Sequence, residues 1–148
     1  MITGIYHTSL TVSNMERSIE FYRDVIGMKF LWDSLQAGVQ FKGPVADMVT
    51  GCPGTEQRLV FLGLGDGLLE LVGYTPTGKL LSDHKASDIG ISHVCFTTDN
   101  IQELYQKLSD RGMRIHCAPQ NIGFAWVMYF RDPDGIILEV REELQKRW

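Results

Sequence analysis

A chain of 148 residues can bury one substantial core without disulfide staples, and it has room for one domain or for two small modules that share a core. A net charge of -4 without any basic run argues against a nucleic-acid surface. No stretch approaches the roughly 20 apolar residues that a bilayer-spanning helix needs. Three cysteines, Cys52, Cys95 and Cys117, cannot all pair, and their spacing fits neither a CxxC metal site nor a disulfide framework. Met1–Gly4 runs straight into a strand pattern, which leaves no signal-peptide signature. These features lead us to expect a cytoplasmic protein with no membrane or nucleic-acid partner.

Residues 3–12 alternate in strand fashion, with Ile5, His7, Ser9 and Thr11 on one face and Tyr6, Thr8, Leu10 and Val12 on the other. Ser13, with Glu16 three positions on, predicts a capped helix that carries Met15, Ile19, Phe21, Tyr22, Val25 and Ile26 and ends at Gly27. Met28–Leu35 reads as a second strand. Glycines and prolines punctuate residues 36–56, and Pro44 predicts a short helix over Val45–Val49. This insert is a candidate lid or specificity loop, with a surface elaboration as the alternative. Arg58–Leu64 and Leu68–Tyr74 flank Gly65-Asp66-Gly67 and predict a hairpin.

A linker from Thr75 to Gly90 follows, and the order then repeats. Ile91–Thr98 reads as a strand, and Asn100 with Glu103 predicts a second capped helix ending at Gly112. Met113–Cys117, Ala125–Arg131 and Ile136–Arg141 read as strands, the last two joined by the turn residues Asp132-Pro133-Asp134-Gly135. The expected architecture is α+β: two tandem βαβββ modules forming a curved, partly closed mixed sheet around a cleft. Module 1 covers about residues 1–75, the linker 76–90 and module 2 91–148 of a single domain.

The repeat carries chemistry. His7 and His93 hold the same place in the two modules, and so do Glu70 and Glu139. Each histidine shares its strand face with a small neighbour, Ser9 or Cys95. Each glutamate sits in an otherwise apolar strand, where an unpaired carboxylate is costly to bury. A divalent cation would offset that cost, and imidazole with carboxylate suits nickel, zinc, cobalt, manganese or iron. An ordinary ion pair with Arg58 or Arg141 is the competing explanation for the glutamates. His84 and His116 lack symmetric counterparts and are read as non-ligands.

The segment from His7 through Leu-Thr-Val-Ser-Asn-Met-Glu-Arg-Ser-Ile-Glu-Phe-Tyr-Arg-Asp-Val-Ile-Gly-Met-Lys resembles the opening module of the vicinal oxygen chelate superfamily. Ser92-His93-Val-Cys-Phe and Phe130-Arg-Asp-Pro-Asp-Gly-Ile-Ile-Leu-Glu139 resemble its second module. The resemblance implies a divalent metal on His7, Glu70, His93 and Glu139, held within one chain or across a homodimer, and a small-molecule substrate. It is similar at all four positions to glyoxalase I. That likeness implies a lyase or isomerase moving a proton next to a metal-bound carbonyl through an enediolate or enolate, with Glu139 the first choice of base and Glu70 the second.

The Gly38–Gln57 insert resembles the acyl-CoA epimerase branch instead, although that branch usually has an amide where Glu70 stands. His7, His93, Glu139 and Tyr129 also resemble the site of Fe(II)-dependent extradiol dioxygenases. A small-molecule-binding resistance protein of the same fold, using Trp32 and Trp126, is the remaining alternative.

Overall fold

The computed structural model describes residues 1–81 and 83–144; the module 2 tail, residues 145–148, lies outside the described residues. The chain divides into two compact units, Met1–Leu80 and Leu81–Trp148. Each unit builds its own mixed sheet.

In the first unit, β1 (Thr8–Thr11) leads into α1 (Met15–Glu20), followed by a π-helical turn over Phe21–Val25 and β2 (Lys29–Asp33). β3 (Phe41–Lys42), α2 (Pro44–Thr50), β4 (Glu56–Leu64) and β5 (Gly67–Thr75) complete it. The sheet runs β1-β5-β4-β2, with β3 on β4. β1 is parallel to β5 and the other pairings are antiparallel. The β4–β5 turn is tight because Gly65 takes a left-handed φ of 56°, which a side chain would disfavour. Alternation does the rest: Leu10, Val60, Leu62 and Leu71 are buried with Tyr22 and Phe21 from the helical run. The opposite face is left to His7, Ser9 and Glu70.

The second unit repeats the plan with β6 (Val94–Thr97), α3 (Ile101–Asp110), β7 (Gln120–Asn121), β8 (Ala125–Arg131) and β9 (Ile137–Glu143). Its sheet runs β6-β9-β8-β7, with β6 parallel to β9. Ile101, Leu108, Met128, Phe130, Leu138 and Val140 form its core.

The α+β class and the mixed pairing match the sequence reading, and the hydrogen-bonded ladders form two separate, open sheets rather than one. Several boundaries move. The first strand begins at Thr8, because residues 3–7 have no ladder partner. The first helix is capped by Asn14, whose Oδ1 accepts from the Arg17 amide at 3.0 Å. Ser13 Oγ instead accepts from the Arg17 guanidinium, and Glu16 is drawn away to Arg58. The second cap forms as read: the Glu103 amide donates to Asn100 Oδ1, and Asn100 Nδ2 donates to Glu103. Met113–Cys117 makes only an isolated bridge, Ile115 to Phe130, rather than a strand. The short strand Gln120–Asn121 takes the β8 edge instead.

Candidate functional site

Parallel pairing of first and last strands places the histidine and glutamate of each unit together. His7 stands one residue before β1, and Ser9 pairs with Glu70. His93 stands one residue before β6, and Cys95 pairs with Glu139. The register is the same in both units. Because residues i and i+2 share a strand face, each imidazole falls diagonally onto its glutamate. His7 Nε2 lies 3.3 Å from Glu70 Oε2, and His93 Nε2 lies 2.9 Å from Glu139 Oε2. Both carboxylates are only 13% exposed.

The arginines weighed as partners for these glutamates are engaged elsewhere. Arg58 forms a two-pronged bond to the buried Asp33, at 3.2 and 2.8 Å, and reaches Glu16. Arg141 meets Glu143 at 2.8 Å. His84 Nδ1 stays with the Leu81 carbonyl at 2.8 Å, and His116 packs edge-on to Tyr129. Burial, helped by Arg131 and Arg114, pushes the His116 pKa down.

Aromatic residues back both pairs, a feature that only the cross-strand register reveals. Phe61 pairs across from Glu70 and Tyr129 across from Glu139. Their rings lie 5.8 Å from His7 and 5.1 Å from His93. The units differ here. Burial, then the Glu139 charge, pushes the Tyr129 hydroxyl up, and that hydroxyl bonds to the Glu139 carboxylate. Cys95 is exposed as a residue, but its sulfur faces Glu139. Loss of hydration and then the Glu139 charge push its thiol up to about 12. Glu139 is therefore held by three neighbours. Glu70 has His7 and opens into a cavity of about 560 Å³ within its own unit.

The donor set fits a divalent ion. Two ligands at roughly 2.1 Å from one cation and about 90–100° apart stand about 3.0–3.2 Å from each other, close to the separations found in both pairs. The remaining ring nitrogens suit orientation: His93 Nδ1 meets Ser92 Oγ at 3.0 Å. His7 Nδ1 is buried without a hydrogen-bond partner among the described residues. No group of three or more His, Cys, Asp or Glu able to hold a metal ion forms among the described residues. Each pair by itself supplies two donors.

Residues 4–140 match the family model of the Glyoxalase/Bleomycin resistance protein/Dioxygenase superfamily. The chain belongs to this superfamily. The superfamily member is 28% identical over 141 residues to a lactoylglutathione lyase of Escherichia coli O157:H7, a match covering 94% of this chain and 92% of that protein. A glyoxalase family protein from Bacillus cereus shares its fold with a TM-score of 0.82 at 22% identity, over 98% of this chain and 97% of that one. A fosfomycin resistance protein from Mesorhizobium loti does so with a TM-score of 0.65 at 19% identity, over 99% and 94%. At such identities the solved structures speak to fold alone. No helix of the described residues is long and apolar enough to cross a membrane.

Proposed function

We propose that this superfamily member is a divalent-metal-dependent lyase or isomerase of the glyoxalase type, moving a proton between carbons next to a carbonyl of a small substrate. One observation carries the reading: two histidine–glutamate pairs in the same strand register, their nitrogen and oxygen donors at 3.3 and 2.9 Å. The similarity to a lactoylglutathione lyase over nearly the whole of both chains supports it. His7, Glu70, His93 and Glu139 would hold nickel, zinc, cobalt, manganese or iron. When bound, the ion supplies Lewis acidity that steadies negative charge on the carbonyl oxygen.

The chain's residues do the rest. Glu139 is held by His93, Tyr129 and Cys95 and serves as a fixed donor. Glu70 opens onto the cavity and takes the proton from one carbon and returns it to the next. A carboxylate is suited to both steps, because it can give up the proton it accepts. A homodimer is part of the proposal: β1 and β6 are edge strands, and Ile5, Tyr6 and Ile91 just before them are exposed, an arrangement that invites pairing.

The test is metal analysis joined to solvent exchange. The reloaded protein is expected to hold at least about half an equivalent of a divalent ion and to exchange the substrate's carbon-bound proton in deuterium oxide. A protein that loads no metal would refute the reading. Tyr129 beside His93 favours Fe(II)-dependent ring cleavage as the second reading, and oxygen consumption with catechols and iron would establish it instead.

A further inference from the structure

The insert that breaks the symmetry between the units has a place in the site. β3 pairs Phe41 with Gln57 and Lys42 with Glu56, which brings α2 over the sheet face that carries Glu70. Val45 and Val49, one helical turn apart, line the same cavity as Glu70, Leu59 and Val72. Yet α2 buries none of its residues: Val45 is 70% and Val49 80% exposed. An apolar helix stripe thus stands exposed above a mixed sheet face, on which Leu59 and Val72 lie among Ser9, Thr11 and Gln57. The charges narrow what an occupant can be. Lys42 is the sole cation among the described residues of the lining and is already near Glu56, at 3.6 Å. A cavity of about 560 Å³ is the size of an ordinary small-molecule site.

We propose that α2 is the specificity wall of the enzyme, and that the cavity beneath it takes the apolar arm of the carbonyl substrate, branched aliphatic or aryl and bearing at most one negative charge, with the reacting end at Glu70. The inference rests on the proposed function for what happens at Glu70, but the apolar subsite is tested separately.

The experiment uses the full chain without metal, titrated with 1-anilinonaphthalene-8-sulfonate, an aryl probe with one negative charge, and followed by fluorescence. Val49→Glu places a carboxylate in the cavity and is expected to weaken the probe at least tenfold. Met48→Glu is the control, since Met48 lies on the same helix, is 77% exposed and does not line the cavity; it should leave affinity unchanged. Both side chains are solvent-exposed, so both variants should melt with the parent. A Val49→Glu protein that binds like the parent, or a Met48→Glu protein that loses binding equally, overturns the subsite. A second arm measures KM for an aryl-bearing and a methyl-bearing carbonyl substrate: the aryl preference should disappear in Val49→Glu while persisting in Met48→Glu. Failure of the proton-transfer reading would instead appear as absent solvent exchange in the parent, with the probe titration intact.

Discussion

Replacing Arg58 with methionine should destabilise the protein by about 3–5 kcal/mol, the range for breaking a buried ion pair from one side. The magnitude follows from what is left behind. The Asp33 side chain is 0% exposed and is bonded by Arg58 through both oxygens. Its other bonds come from the backbone amides of Leu35, at 2.8 Å, and Gln36, which cannot neutralise a carboxylate. Methionine keeps most of the apolar stem, so little of the loss comes from packing. At about 3 °C per kcal/mol for a chain of this size, melting should fall by roughly 10–15 °C. Thermal unfolding by circular dichroism measures this, and the double variant Asp33→Leu/Arg58→Met should recover part of the loss.

The pH dependence adds a second readout. Burial raises the Asp33 pKa, but the Arg58 bond and the backbone bonds outweigh it, and the net shift is downward. A carboxyl whose folded pKa is depressed stabilises the fold above its unfolded value of about 3.9 and loses that contribution as pH falls through the folded value. The parent should therefore lose stability below about pH 4. In Arg58→Met, only the backbone bonds still oppose burial and the downward shift shrinks, so the two stability curves should converge on acidification. A loss under about 1 kcal/mol at neutral pH, as for a solvent-screened surface pair, would show the burial argument to be mistaken.

Other outcomes are expected together. His7→Ala and Glu139→Gln should abolish turnover with little change in melting temperature, because these side chains lie off the apolar packing face; atomic absorption should show lower metal content. Glu70→Gln should lower kcat by about 10²–10⁴ and leave the apolar probe bound. Leu71→Ala, at a fully buried core position, should cost about 2–5 kcal/mol by denaturant unfolding. Asn100→Ala removes the α3 cap and should cost about 1 kcal/mol.

Where sequence signals were local and redundant, they matched the structure. The Asn100–Glu103 box, the Gly65-Asp66 turn and the strand over Ala125–Arg131 each need only neighbouring residues. Likewise the parity of Leu69, Glu70 and Leu71 separates packing face from polar face without tertiary information. The misses involve competition from afar. Glu16 looks like a cap partner for Ser13 until Arg58, 42 positions away, draws its carboxylate off. Met113–Cys117 has strand-like letters but meets β8 at a single bridge. The aromatic backing by Phe61 and Tyr129 needed strand register, which spacing alone does not supply. The cavity wall over Val45–Thr50 depends on β3 pairing with β4, a contact two residues long that no periodicity announces.

Each imidazole–carboxylate pair joins the opening and closing strands of its unit, whose partners Thr8 and Leu69 lie 61 positions apart and Val94 and Leu138 44. Parallel strands so far apart cannot zip from a hairpin and must wait for the intervening segments to condense. The donors therefore meet late in assembly. A nascent or partly melted polypeptide presents its imidazoles and carboxylates singly, with weak hold on a cation. In the proposed site, strong metal uptake would be a privilege of the finished fold, and mass action would turn it into a force that favours that fold.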